Sequence, residues 1–149
     1  MTTNAGKQVT EGLAKLLADT YTLYLKTQNF HWHVTGPHFH SLHRMFEEEY
    51  IALAAAVDEI AERIRTLKHT APASFTEFLK LTSIKEETST PAANDMVKKL
   101  LADHEIVIKH IATLLPIAQE IKDEATFDLL IKRTEEHEKT AWMLRSSVG

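Results

Sequence analysis

Long apolar stripes at helical spacing, with almost nothing to interrupt them, constrain this chain more than any other feature. Val9, Leu13, Leu16, Leu17, Thr20 and Tyr24 recur at the i, i+3, i+4, i+7 rhythm of an amphipathic helix. Only four Gly and four Pro occur in 149 residues. So little turn-forming material argues against a β-sandwich or barrel.

The first helix is predicted from Val9 to about Val34, where Thr35-Gly36-Pro37 breaks it. A second runs from about His38 to Leu67 on Leu42, Met45, Phe46, Leu53, Val57, Ile60, Ile64 and Leu67. A loop from Lys68 to Thr90 follows, and within it Ser74 to Leu79 reads as a short helix capped by Ser74 with Glu77 at the third position. A connection this long is unusual between bundle helices unless it travels the length of the bundle. The third helix starts after Pro91 on Val97, Leu100, Leu101, His104, Val107, Ile108, Ile111 and Leu115, and Pro116 is expected to kink it or begin its end. The fourth is predicted from about Asp123 to Ser146 on Phe127, Leu130, Ile131, Thr134, Glu138, Ala141 and Trp142. No repeat or linker is visible. The expected architecture is all-α: one domain, residues 1–149, forming a four-helix bundle with a short extra helix in its long second connection.

Composition removes several function classes. There is no cysteine, so disulfides, thiolate zinc sites and cysteine nucleophiles are excluded. The net charge of −4 disfavours nucleic-acid binding over the whole surface. The segment Met1–Gln8 lacks the basic and apolar parts of a secretory signal, and no apolar run reaches membrane-spanning length, so a cytoplasmic location is expected.

Nine histidines are many for this length, and five of them, His31, His33, His38, His40 and His43, fall within thirteen positions. Neutral imidazole is the commonest side-chain metal ligand. Asp58 and Glu62 stand four apart, which puts both carboxylates on one helix face. His43 and Asp58 are fifteen residues apart on the same predicted helix, about 22 Å at the helical rise. They cannot share an ion within one chain. Two copies of the second helix packed antiparallel about a two-fold, crossing near residues 50 and 51, bring His43 of one chain to Asp58 of the other. Ala52, Ala54, Ala55 and Ala56 near that crossing permit close approach. Each such site would combine His31 and His43 with Asp58 and Glu62 of a second copy, a donor set that suits Fe(II) and also Zn(II). The Glu-x-x-His motif of bundle-core di-iron proteins is absent from the sequence, which argues against a site inside the bundle.

These residues resemble the Dps family, the miniferritins. Phe-His-Trp at 30–32, Thr-Gly-Pro at 35–37, Phe-His-x-Leu-His at 39–43 and Asp-x-x-x-Glu at 58–62 stand in register with the family pattern. The likeness extends from about residue 7 to 147. It implies a homododecameric shell that oxidises Fe(II), preferentially with hydrogen peroxide, and stores Fe(III) inside, so protecting against oxidative damage. The ferroxidase ligands it implies across the two-fold are His31, His43, Asp58 and Glu62. It also implies acidic residues lining a three-fold pore, with Asp128 the best single choice. Asp123, Glu124 and Asp128 otherwise complement the N-terminus of the fourth helix.

Position 33 is usually Asn or Asp in the family pattern, and here it is His33, a further candidate ligand; His38 and His40 are additional. Glu47, four residues after His43, is a candidate for iron nucleation on the cavity wall. Trp32 reads either as core or as an interceptor of radicals beside the site. Two rival functions follow from the same residues. One is a zinc-binding structural assembly. The other is a DNA-compacting protein with a minor iron role, which the single Lys7 in the N-terminal tail and a summed −48 over twelve chains weigh against.

Overall fold

The computed structural model describes residues 4–149; the first three residues of the expected polar N-terminal segment lie outside them. Five helices follow in order: α1 (Asn4–His33), α2 (Phe39–Thr66), α3 (Phe75–Leu81), α4 (Ala93–Glu120) and α5 (Glu124–Ser147). No strand occurs among the described residues. α1 begins more than a turn before the predicted Val9. Apolar periodicity registers only the buried stripe, and Val9 is its first member, whereas the exposed turn before it extends the helix through the Lys7–Glu11 pair and the Thr10 hydroxyl bond to the Gly6 carbonyl.

α1 and α2 form one antiparallel hairpin, α4 and α5 the other, and α1 packs on α4. Their inner stripes make one core around Leu13, Phe30, Phe46, Ile60, Leu100 and Leu130. Gly12 stands where α1 meets α4: a methyl group there would overlap the Leu114 side chain, and the Gly12 carbonyl accepts a hydrogen bond from His110 Nε2 at 2.9 Å.

Helix ends follow local chemistry. Ser74 caps α3 by accepting from the Glu77 amide at 3.2 Å, while Glu77 Oε1 accepts from the Ser74 hydroxyl, a reciprocal box. Asp123 caps α5 through the Thr126 amide. Pro91 directly precedes the α4 cap residue, Ala92, and α4 continues one turn beyond Pro116.

The connection over residues 67–92 holds no regular structure except α3. Its backbone is held instead by side chains projecting from successive turns of α1. Buried Asp19 accepts from the Thr82 hydroxyl at 2.8 Å and the Ser83 amide at 2.6 Å. Lys26 Nζ donates to the Lys85 carbonyl and pairs with buried Asp103 at 2.8 Å. Asn29 Nδ2 donates to the Glu87 carbonyl. A connection so anchored satisfies its polar groups without a helix or strand.

The buried face of α5 is rotated from the predicted one. Glu138 and Trp142 are exposed, and the face runs through Leu129, Leu130, Arg133, His137, Ala141 and Leu144. Two of its central positions are polar, so a stripe drawn through apolar residues alone slides sideways.

Candidate metal centre

α1 ends in Phe30-His31-Trp32-His33, and α2 begins at Phe39, past a five-residue turn in which Gly36 adopts φ 114°. That conformation suits glycine. The tight hairpin sets the last turn of α1 against the first turns of α2, so His31 and His43 face each other with ring centroids 3.9 Å apart and planes 12° from parallel.

His31 Nδ1 lies 2.7 Å from the carbonyl of His43, and His43 Nδ1 lies 2.8 Å from the carbonyl of His31. A carbonyl only accepts, so both Nδ1 atoms carry the hydrogen. Both Nε2 lone pairs are thereby left for a ligand, the arrangement by which an outer hydrogen bond orients a metal-binding imidazole. Glu47, one turn beyond His43, brings a carboxylate oxygen to 4.0 Å from His31 Nε2. His31, His43 and Glu47 are the one group of three His or carboxylate side chains, among the described residues, whose donor atoms lie close enough to hold one ion. His31 is buried, and His43 and Glu47 are half-buried.

The other predicted ligands lie elsewhere in the chain. Asp58 and Glu62 are exposed on α2, several turns from the histidine pair. Arg63 and Arg65, the cations nearest them in sequence, are engaged otherwise. Arg63 donates to Thr126 and Asp123, both at 2.9 Å, and Arg65 donates to the His69 carbonyl. The exposed surface of α2 between the two groups carries Ile51, Ala52, Ala54 and Ala55. His33 is exposed, with Nδ1 donating to the Asn29 carbonyl and Oδ1. His38 and His40 are exposed and outside the cluster. Trp32 is 59% exposed and is not core. Asp128 is exposed on α5.

Two features around the centre escape a search for ligand spacing. Tyr50 sets its ring edge-on to His31, with centroids 5.2 Å apart. Glu49 points into the core, and burial together with neighbouring Glu48 pushes its carboxyl up to about 8, so it is neutral at neutral pH. Its place in the i, i+3, i+7 series Phe46, Glu49, Leu53 was the available signal. Deeper in the bundle, His104 and His137 bring their Nδ1 atoms to 2.8 Å, and Arg133 donates to His137 Nε2 at 3.2 Å. Burial drives the His104 pKa down to about 3 and holds His137 well below its ordinary range. With Arg133 donating to Nε2, His137 carries its hydrogen on Nδ1 and donates to His104. His104 then holds its own hydrogen on Nε2. The Arg133 guanidinium beside this pair disfavours a cation there.

Comparison with known proteins agrees with this architecture. The ferritin-like domain family matches residues 10–149. A DNA protection during starvation protein of Bacillus anthracis is 43% identical over 140 residues, 94% of this chain and 96% of that protein. The crystal structure of a Dps protein from Bacillus brevis superposes with a TM-score of 0.96 at 34% identity, covering all of both chains. A Dps protein from Vibrio cholerae, described as a member of a broad superfamily of ferritin-like diiron-carboxylate proteins, superposes with a TM-score of 0.94 at 33% identity, covering 100% of this chain and 98% of that one. With a ferritin-like domain matched over residues 10–149 and Dps relatives alike in sequence and in fold over nearly the whole chain, the chain belongs to the Dps family of ferritin-like proteins.

Proposed function

We propose that this chain, acting as one domain over residues 1–149, is a ferroxidase and iron-storage protein of the cytoplasm. It oxidises Fe(II), preferentially with hydrogen peroxide, and keeps the Fe(III) in a hollow homododecamer, limiting oxidative damage. The observation that carries this reading is the His31–His43 pair, whose two Nε2 atoms are freed by reciprocal hydrogen bonds and joined by the Glu47 carboxylate. Imidazole and carboxylate donors together suit ferrous iron, and carboxylates favour the ferric product.

The site is completed by Asp58 and Glu62 of a second copy. Both carboxylates are exposed and free of hydrogen bonds and ion pairs among the described residues, and an apolar patch of Ile51, Ala52, Ala54 and Ala55 occupies the helix surface between them and His43. An antiparallel two-fold pairing of α2 makes two equivalent sites per dimer. Asp128 is assigned to the entry pore, and His33 to a peripheral role. The peroxide preference, the twelve-subunit shell and the pore rest on likeness to the family.

Co-expression tests the shared site. Subunits carrying His31→Ala and subunits carrying Asp58→Ala are each expected to assemble into shells that oxidise iron slowly. In a mixed dimer, one of the two sites draws His31 and Asp58 from the intact halves, so co-assembled shells regain activity. A site built within one chain gives no recovery. Shells that bind Zn(II) tightly and turn over no iron overturn the ferroxidase reading in favour of a zinc-binding assembly.

A further inference from the structure

The sequence contains three tyrosines, and the fold places all three in one unbroken series that starts at the metal centre. Tyr50 meets His31 edge-on at 5.2 Å between centroids. Tyr24, across the α1–α2 hairpin, meets Tyr50 at 6.0 Å. Tyr21, one turn back on α1, meets Tyr24 at 5.8 Å. The series leaves the hairpin where Tyr21 stacks on Phe78 of α3, 4.9 Å away, beside a surface groove that Tyr21 lines with Leu25, Phe75 and Leu79. Each tyrosine is half-buried, packed on the aromatic rings beside it and still partly open to solvent. The Tyr24 oxygen also accepts a hydrogen bond from Gln28 Nε2 at 3.1 Å, which holds that phenol in place.

We propose that Tyr50, Tyr24 and Tyr21 form an electron relay that supplies the metal centre and carries the resulting oxidising equivalent about three helical turns along α1, to the groove beneath α3. The inference rests on the ferroxidase reading. A ferrous ion gives one electron, whereas reduction of peroxide to water takes two. When a site holds a single ferrous ion, the second electron comes from Tyr50. One Fe(II), one tyrosine phenol, one H2O2 and one proton then give one Fe(III), one tyrosyl radical and two waters. The phenol O–H bond breaks; its proton joins the water formed and its electron passes to peroxide. Tyr24 then reduces the Tyr50 radical, and Tyr21 reduces that of Tyr24, each regained proton exchanging with solvent. A later ferrous ion at the centre returns an electron along the same rings and restores the phenol. The sum is two Fe(II) oxidised per peroxide with no radical set free in solution. Tyr50 is the donor at the centre; Tyr24 and Tyr21 act through it.

Freeze-quench electron paramagnetic resonance on assembled shells tests this. Shells receive one Fe(II) per site anaerobically and then one equivalent of peroxide. A tyrosyl signal is expected in the native protein and is lost in Tyr50→Phe, which keeps the ring packing and removes only the phenol. In Tyr24→Phe the signal persists with an altered hyperfine pattern, because the radical halts at Tyr50. Native shells that oxidise iron without a tyrosyl signal overturn the relay and leave the ferroxidase reading standing, as does an undiminished signal in Tyr50→Phe. Native shells that oxidise no iron at full loading overturn the parent reading instead. A tryptophanyl signal in place of a tyrosyl one assigns the electron to exposed Trp32 and also overturns the relay.

Discussion

His31 and His43 fix each other: each imidazole donates its Nδ1 hydrogen to the other residue's backbone carbonyl, at 2.7 and 2.8 Å. The lock runs through main-chain oxygens, so either ring stays oriented when the other is removed. It also fixes the tautomer, because the shared carbonyls accept only.

Both rings are therefore expected as the Nδ1–H form in the metal-free protein. Nitrogen-15 NMR of the imidazoles near neutral pH reads this directly, and an Nε2–H form in either ring contradicts the lock. His31→Ala, His43→Ala and Asp58→Ala are each expected to slow peroxide-driven iron oxidation at least about tenfold while the shell still elutes at its assembled mass. Unchanged rates in all three would discard the site assignment.

Acid is expected to weaken the bundle through His104 and His137. The His104 value in the fold, about 3, lies below the ordinary 6.5, so the unfolded chain binds a proton that the folded one excludes. The stability this contributes is complete above 6.5 and is lost as pH falls toward 3. Urea midpoints should drop on acidification through this range. Imidazole signals of His104 and His137 should show no titration near 6.5; a midpoint there would contradict their burial as a neutral pair.

Glu49 has the opposite sign. Its carboxyl, raised to about 8, keeps a proton that the unfolded chain gives up near 4.5. Its contribution is complete below 4.5 and is lost as pH rises through 8. Glu49→Gln keeps a neutral side chain at all pH values, so the variant should outlast the native protein in thermal melts on the alkaline side and match it near pH 4.5. Equal alkaline melting temperatures would show that Glu49 is ionised in the fold.

Asp19→Ala should release the crossover. The variant leaves the Ser83 amide and Thr82 hydroxyl without their acceptor, a loss of roughly 1–3 kcal/mol. Limited proteolysis should cut within residues 81–88 sooner than in the native protein, with the helices intact. An unchanged cleavage rate would place the anchoring elsewhere, on Lys26 and Asn29.

Much of the site was legible because its determinants are local. The spacing of His31 and His43 around Thr35-Gly36-Pro37 needs only a helix–turn–helix hairpin to bring the rings together. The separation of His43 from Asp58 on α2 follows from the helical rise alone. The α5 register was not legible, since Arg133 and His137 occupy core positions that hydrophobicity assigns to solvent. Their burial depends on His104, thirty-three residues before His137, and no local pattern encodes that partnership.

By itself the sequence determined that the chain is helical, where its long helices fall, and which histidines and carboxylates lie near enough on a hairpin or a helix face to act together. Those are properties of spacing, fixed by 3.6 residues per turn and by the few residues that can end a helix. Tertiary structure alone decided the rest. It set which Nε2 atoms are free, by placing two carbonyls against two rings. It brought Glu47 to the pair and turned Glu49 inward to be neutral, and it lined up Tyr50, Tyr24 and Tyr21 across two helices. These are consequences of packing, where atoms distant in sequence meet at distances that no periodicity specifies.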